Sequence, residues 1–88
     1  MLLVWHRNAW EDYLYWQEHD QTLQGRVNEL IKDILRHPFQ GIGKPEPLRQ
    51  NLKGYWSRRI SGEHRLIYTV SGAGDQQAVT IIQCRFHY

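Results

Sequence analysis

Apolar residues repeat at two different spacings along this chain of 88 residues, and the change of spacing constrains the fold more than any other feature. From Leu23 to Leu35 they recur at steps of three and four residues, which is the pattern of an amphipathic helix. After Gly54 they alternate with polar residues, as in strands that bury one face. The chain should therefore build one domain, over residues 1–88, from helices and a sheet.

Two helices are predicted ahead of the first proline. The first should begin after an N-cap at Asn8 and run to about His19. Asp20 is the candidate N-cap of the second helix, whose apolar stripe continues until Pro38 ends it. Because the link between the two helices is so short, they should form an antiparallel hairpin.

Four strands are predicted, one before the helices and three in the second half of the chain. They are Leu2–Trp5, Tyr55–Ile60, His64–Val70 and about Val79–Phe86. Glycine-containing turns separate the last three, which should pair as consecutive antiparallel hairpins. The predicted class is α+β with the order β-α-α-(loop)-β-β-β, in which the two N-terminal helices pack on one face of an antiparallel sheet.

Period-two alternation divides the side chains of these strands between a face covered by helices and an open face. On the last strand, Ile82, Cys84 and Phe86 are assigned to the core, whereas Arg85 and His87 are assigned to the open face. Cys84 is accordingly expected to be a buried thiol and not a nucleophile.

Aromatic residues crowd the first helix and the strand before it. Trp10, Tyr13 and Trp16 have helical spacing and are expected in the core. Trp5 and Tyr15 are candidates for a protein interface, where aromatic side chains are enriched.

One arginine of the first hairpin should lie across from Arg65 on the open face. A two-residue turn would place Arg58 opposite Arg65, whereas a three-residue loop would place Arg59 there, and the sequence leaves both alternatives open. Arg58 also has a structural alternative to a place beside Arg65, which is a salt bridge with Glu63 or Glu29.

Residues 38–54 hold all three prolines and three of the seven glycines, and long loops of this kind are often functional. Within them, Glu46 stands between Pro45 and Pro47, which favour an extended backbone. A carboxylate that takes a 2′-hydroxyl proton, an arginine beside the phosphate and a histidine that protonates the leaving oxygen make a metal-free ribonuclease. Glu46, an open-face arginine and His87 suit these roles, although such residues are common.

Charge is unevenly distributed along the chain. Residues 1–33 hold three Lys or Arg against six Asp or Glu, and residues 34–88 hold eight against three. A basic half that is rich in arginine and aromatic residues suits a ligand with a phosphate backbone, and a basic surface kept for solubility is the alternative.

The cysteine, the N-terminal apolar run and the histidines bear on cellular location and on cofactors. The single cysteine cannot form an internal disulfide, which fits a reducing cytoplasm. The apolar run over residues 1–5 is too short for a membrane span or a signal peptide. The five histidines lack the spacing of a metal site. We expect a cytoplasmic protein that needs no membrane, no metal ion and no cofactor.

Several stretches, taken together, carry a resemblance that spans the chain. They are Trp10–Gln17, Gly43–Leu48, Tyr55–Ile60, Glu63–Leu66 and Cys84–Tyr88. The chain resembles the YoeB (Txe/YoeB) toxins of the RelE superfamily, which belong to type II toxin–antitoxin systems. This resemblance implies a RelE-like fold and an mRNA interferase that cuts mRNA in the A site of the 70S ribosome. It also implies a cognate antitoxin as partner and suggests a homodimer.

The resemblance assigns a role to each matching residue. It implies that Glu46 is the general base, His87 the general acid, Arg65 the residue that stabilises the transition-state phosphate, and Tyr88 the residue that orients the substrate.

Further basic residues are expected at the RNA. The resemblance places Arg49 and Arg59 near the phosphate or rRNA, and Lys53 and Arg58 are expected to grip RNA backbone with them. Three positions depart from the family pattern: arginine replaces the usual lysine at Arg49, phenylalanine replaces a common tyrosine at Phe86, and the Gly72–Gln77 turn is longer. The longer turn is expected to change contacts at the rim and not the chemistry.

Two alternatives belong to other functional classes. The same basic, aromatic face suits a module that blocks the ribosome or RNA without cutting it. A weaker alternative is that the helices and the sheet edge serve mainly to bind a partner chain.

Overall fold

The computed structural model describes residues 1–87, and the elements of that range follow the predicted order with one additional strand. They are β1 (Leu2–Trp5), α1 (Arg7–His19), α2 (Gln21–Arg36), β2 (Glu46–Pro47), β3 (Tyr55–Arg59), β4 (Arg65–Ser71) and β5 (Ala78–Gln83). The strands form one sheet in the order β1-β5-β4-β3-β2. The predicted α+β class is confirmed.

Polar side chains set the ends of the helices. Asp20 lies between them, where its carboxylate accepts a hydrogen bond from the Leu23 N–H at 3.1 Å and caps α2 as predicted. The predicted start of α1 is wrong, because the N-cap is His6 and not Asn8. The Nδ1 atom of His6 accepts from the Asn8 N–H at 3.3 Å, so the helix begins one residue before Asn8.

The sheet is mixed, since β1 pairs parallel with β5 whereas the other neighbours are antiparallel. Alternation shows which side chains are buried but carries no information about the direction of the neighbouring strand, so the parallel pair was not predicted. The strand β2 was also missed. It has only two residues, one of them Pro47, and proline is tolerated there because β2 is an edge strand.

The core lies between the helices and one face of the sheet. Its fully buried members include Val27, Leu30 and Ile34 of α2, Leu66 and Tyr68 of β4, and Val79 and Ile81 of β5. The apolar side chains among them each contribute roughly 1.5–3 kcal/mol through burial. None of the helices within residues 1–87 is long and apolar enough to cross a bilayer.

A bulge in β5 changes which of its side chains face the core. Ile67 pairs with Gln83 but the next residue, Tyr68, pairs with Ile81, so Ile82 is an extra residue on β5. One extra residue exchanges the two faces of the strand beyond it.

The bulge explains why the predicted core set of the last strand is partly wrong. Cys84 is buried as expected, but Ile82 is only half-buried and Phe86 is 57% exposed. The strand ends at Gln83, so the residues that follow are positioned by contacts with other elements.

The aromatic residues of α1 divide between core and surface. Trp16 is buried and Tyr13 is half-buried, but Trp10 is 45% exposed, so its predicted core position is wrong. Trp10 stacks on Tyr13, with 5.8 Å between ring centroids, and both rings contact Trp5. The Gly72–Gln77 turn joins β4 to β5 at the opposite end of β4 from Arg65.

Candidate active site

A three-residue loop joins β3 to β4 and decides which arginine faces Arg65. The Ile60 N–H donates to the His64 carbonyl at 3.0 Å, which closes the loop, and Arg59 pairs with Arg65. The three-residue alternative is therefore correct. Arg58 pairs with Leu66 and points, like Leu66, to the face that the helices cover.

Arg58 has a structural role in this fold. Its side chain is 0% exposed, and its guanidinium forms an ion pair with Asp33 of α2. All five of its N–H groups have partners, which are the Tyr68 hydroxyl, the Asp33 carboxylate and the carbonyls of His37, Gln40 and Ile42. The expectation that Arg58 grips RNA is therefore wrong, and its salt-bridge partner is Asp33 and not Glu63 or Glu29.

These bonds fix the chain between α2 and β2. The Arg58 guanidinium holds three carbonyls within residues 37–42, and the Arg59 N–H donates to the Gly43 carbonyl at 2.7 Å. Gly43 has a φ of +78°, and a Cβ there would lie 2.6 Å from Leu30 Cδ2. This arrangement was not predicted from the sequence. It fixes the backbone of residues 37–43 and thereby the position at which the chain enters β2 at Glu46.

Three of the predicted site residues share the open face of the sheet. Residues directly opposite each other in an antiparallel pair point to the same side, and so do residues two apart on one strand. Glu46 pairs with Ser57, and Arg59 follows Ser57 by two residues and pairs with Arg65. Glu46, Arg59 and Arg65 therefore emerge on one face, opposite Arg58.

The Arg65 guanidinium is held against its own hairpin loop. Its Nη1 atom donates to the carbonyl of Ser61 at 2.7 Å and to that of His64 at 3.0 Å. Arg65 is half-buried whereas Arg59 is exposed. Two cations directly opposite each other repel, so this face favours an anionic ligand that lies between them.

A cleft of about 400 Å³ lies beside Glu46. Its lining comprises Glu46, Pro47, Leu48, Arg49 and Leu52. Arg49 is exposed, and so is Lys53 at the end of the 3₁₀ turn Gln50–Leu52 that follows. The carboxylate and a guanidinium thus line one concave surface.

The chain after β5 is anchored to α1. The Cys84 N–H donates to Asp12 Oδ2 at 3.1 Å, and the Trp16 Nε1–H donates to the Cys84 carbonyl at 2.7 Å. Burial raises the pKa of the Cys84 thiol well above its usual range, and the Sγ–H contacts the Ala9 carbonyl. These contacts give Cys84 a structural role. Burial also raises the pKa of Asp12, and the Cys84 N–H opposes that change.

His64 and Arg65 hold the next part of the chain, a role that the sequence did not indicate. The Phe86 N–H donates to His64 Nδ1 at 2.7 Å, and the Phe86 carbonyl accepts from the Arg65 N–H at 2.9 Å. The Arg85 guanidinium lies 3.5 Å from the centroid of the Tyr15 ring. The residue before His87 is thus attached to the backbone of Arg65.

His87 lines a cleft of its own. This cleft measures about 430 Å³ and is lined by the start of α1 and the end of the chain, including His6, Glu11, Asp12 and Arg85. Within the described residues, then, Glu46 and His87 line different clefts, although a backbone hydrogen bond joins Phe86, directly before His87, to Arg65. The predicted role of Tyr88 lies outside the described residues.

No cluster suited to a metal ion occurs among residues 1–87, where no three His, Cys, Asp or Glu side chains converge.

Comparison with known proteins is consistent in sequence and in structure. Residues 5–88 match the family described as YoeB-like toxin of bacterial type II toxin–antitoxin systems. The Toxin YoeB of Escherichia coli K12 is 53% identical over 88 residues, which cover 100% of both chains. A solved YoeB/ParE toxin from Agrobacterium tumefaciens is 52% identical, with a TM-score of 0.97 and full coverage of both chains.

Two further structures come from Staphylococcus aureus. A YoeB dimer is 44% identical to this chain, with a TM-score of 0.86, and covers 100% of this chain and 98% of the other. A heterotetrameric YoeB–YefM toxin–antitoxin complex is 46% identical, also with a TM-score of 0.86, and covers 100% and 99%. The agreement of family match, full-length identity and fold leads to one conclusion: this chain belongs to the YoeB family of toxins of bacterial type II toxin–antitoxin systems.

Proposed function

We propose that this toxin is a ribosome-dependent endoribonuclease that cuts mRNA in the ribosomal A site and so stops translation in the cytoplasm. The observation that carries the proposal is the placement of Glu46, Arg59 and Arg65 on one open face of the sheet. On that face, one carboxylate and two guanidinium groups are available to bind a single phosphate. On the opposite face of the sheet, Arg58 pairs with Asp33 of α2.

The proposed reaction is a transesterification that uses no metal. Glu46 accepts the proton of the 2′-hydroxyl, and the 2′-oxygen attacks the adjacent phosphorus. Arg65, with Arg59 beside it, stabilises the charge that develops on the phosphate oxygens. His87 donates a proton to the 5′-oxygen as its bond to phosphorus breaks. The products are a 2′,3′-cyclic phosphate and a 5′-hydroxyl, and Tyr88 is proposed to orient the substrate.

Binding to RNA is assigned to the exposed cations. Arg49, Lys53 and Arg59 are exposed, and each contact with an RNA phosphate would release counterions. The partners proposed are therefore mRNA and the rRNA of the 70S ribosome, which present a dense array of phosphates. Arg58 has no part in this binding because its N–H groups are all used within the protein.

A cognate antitoxin is the second proposed partner. The Staphylococcus aureus relative forms a complex with YefM. We propose that an acidic segment of the antitoxin of this toxin lies on the basic face, where it would cover or displace the catalytic groups.

A second copy of the chain is the third proposed partner. Strand β1 is at the edge of the sheet, and its apolar side chains are exposed, with Leu2 at 63%. Leu3 of β1 lines one concave surface with Trp5 and Trp10, and an exposed apolar surface of this kind marks an interface. Sedimentation of Trp10→Ser against the unsubstituted toxin tests this, since the variant should be monomeric where the parent is a dimer.

A non-cleaving translation inhibitor is the second candidate function. The observation that favours it is that, among residues 1–87, Glu46 and His87 line separate clefts. In this alternative, the basic face would occupy the A site and leave the message intact.

Primer extension on a reporter message in a bacterial cell-free translation reaction tests these candidates. We expect cuts in codon register that vanish from a matched message lacking its start codon. Glu46→Gln and His87→Ala should abolish the cuts, whereas Glu18→Gln, at an exposed position of α1, should retain them. A message with 2′-deoxyribose at the cut position should resist cleavage. Arrested translation with intact message would instead establish the non-cleaving inhibitor.

A further inference from the structure

We propose that His64 is a positioning residue that holds the C-terminal tail, defined as Cys84–His87, in the geometry that catalysis needs. The proposal rests on the function proposed above, because the tail carries the general acid His87. No role for His64 followed from the sequence. Its side chain contacts the tail at Phe86, and its backbone carbonyl contacts the side chain of Arg65.

The side chain of His64 holds the tail. Its Nδ1 atom accepts a hydrogen bond of 2.7 Å from the Phe86 N–H, which requires an imidazole that carries its proton on Nε2. The backbone of His64 holds the phosphate-binding side, since its carbonyl accepts from Arg65 Nη1 at 3.0 Å. A single residue thus links the cation proposed to bind the phosphate to the acid proposed to protonate the leaving oxygen.

The imidazole of His64 is itself fixed by a buried neighbour. Trp16 meets it edge to face, with 4.7 Å between ring centroids and 79° between ring planes. The Nε1–H of Trp16 also donates to the Cys84 carbonyl at 2.7 Å. Trp16 therefore orients both the acceptor and the chain that donates to it, so the Nδ1 position is preorganised.

The conformation of Phe86 explains why the acceptor matters. Phe86 has a φ of +67°, which is uncommon for a residue with a bulky side chain. Hydrogen bonds hold both sides of it, from the Phe86 N–H to His64 and from the Arg65 N–H to the Phe86 carbonyl. Without the His64 acceptor, only the bond from the Arg65 N–H to the Phe86 carbonyl remains, so Phe86 should return more readily to an ordinary φ, and that rotation would redirect His87.

The rest of the fold does not depend on this hydrogen bond. Asp12 and Trp16 anchor Cys84, two residues before Phe86, and the hairpin loop is closed by backbone contacts at Ile60. A change at His64 that preserves the contact with Trp16 should therefore release the end of the tail and leave the core intact.

Two substitutions separate the hydrogen bond from the packing. His64→Asn places its Oδ1 near the position of Nδ1 and keeps the acceptor, whereas His64→Leu fills similar space without one. His37→Leu, at an exposed position beyond the end of α2, is the matched control. Single-turnover cleavage of ribosome-bound message should fall about 100-fold in His64→Leu, as for a misplaced catalytic group, with ribosome affinity unchanged. His64→Asn should cut within severalfold of the unsubstituted toxin.

Hydrogen exchange at the Phe86 amide provides a readout that does not require cleavage. Its protection should be lost in His64→Leu and kept in His64→Asn and His37→Leu. Equal cleavage by His64→Leu and the unsubstituted toxin would overturn the proposal, as would equal losses in the Asn and Leu variants. If His64→Leu fails to fold, His64→Gln, which moves the acceptor by one carbon, should show the same loss. If the unsubstituted toxin cuts nothing, the proposed function fails, while amide exchange still decides whether His64 holds the tail.

Discussion

Arg58 and Asp33 form an ion pair of 2.5 Å between Nη1 and Oδ2, in which the guanidinium is fully buried and the carboxylate is 22% exposed. The pair joins the last turns of α2 to β3. Because the same guanidinium also binds three carbonyls of residues 37–42, it organises the loop that leads to Glu46.

Removal of the Arg58 charge should be strongly destabilising. In Arg58→Met, the Asp33 carboxylate keeps the Ile42 N–H but loses its charged donor, and the loop carbonyls lose the guanidinium, so the free energy of unfolding should fall by about 3–5 kcal/mol. Arg58→Lys should recover only part of this, because an ammonium has three donors for five acceptors. Urea denaturation measures the change. Arg59→Met, at the exposed neighbouring position, should differ from the parent by no more than about 0.5 kcal/mol.

Acid sensitivity should follow from the same pair. The hydrogen bond from Arg58 holds the pKa of the Asp33 carboxyl below its usual range. The carboxylate therefore contributes stability that is fully present above the pKa of the unfolded chain, about 3.9, and is lost as the pH falls through the lower folded value. In Asp33→Asn that contribution is absent, so the free energy of unfolding should be lower at neutral pH and should fall less steeply below pH 4.

Asp12 should show the opposite sign. Burial raises its pKa, so the folded state binds a proton more readily than the unfolded chain and loses stability as the pH rises from about 3.9 through the folded value. Asp12→Asn keeps an acceptor for the Cys84 N–H and removes this loss. Urea denaturation between pH 3 and pH 7 compares the two variants, and parallel profiles would contradict the assignment.

Much of the fold could be predicted because its signals are local. The N-cap at Asp20, the helix that Pro38 ends and the strands after Gly54 each follow from a short pattern, and the structure confirms them. The bulge at Ile82 could not be predicted, since an extra residue leaves the composition of a strand unchanged but exchanges its faces. The two-residue strand at Glu46 is too short to alternate.

In the candidate site, too, some features follow from the sequence and others do not. The shared face of Arg59 and Arg65 follows from strand register once the loop length is known, and loop length was the unknown that left Arg58 and Arg59 exchangeable. The position of Glu46 on that face depends on its pairing with Ser57 in β2, a strand that the sequence did not predict. The contact between His64 and Phe86 joins residues 22 apart through a side chain and a backbone N–H. No local pattern encodes such a contact, so it became visible only in three dimensions.

Cys84 should be chemically inert in the folded toxin. Its thiol is buried, its pKa is raised, and alkylation requires the thiolate. Labelling by iodoacetamide should therefore be no faster than unfolding and should accelerate with added urea. Cys84→Ser, which offers no thiol, gives the background. Rapid, complete labelling without denaturant would show that the tail detaches from α1 in the native state.

Arg59 should contribute a single phosphate contact to RNA binding. It is exposed on the open face, so Arg59→Ala should weaken the binding of a non-cleavable, 2′-deoxy-substituted RNA oligonucleotide. The slope of log affinity against log salt concentration should become shallower by about 0.7, because one fewer counterion interaction is released. Fluorescence anisotropy at several salt concentrations measures both quantities. Lys32→Ala removes an exposed charge of α2, on the covered side of the sheet, and should change neither. An equal change of slope in the two variants would mean that net charge, and not the open face, governs binding.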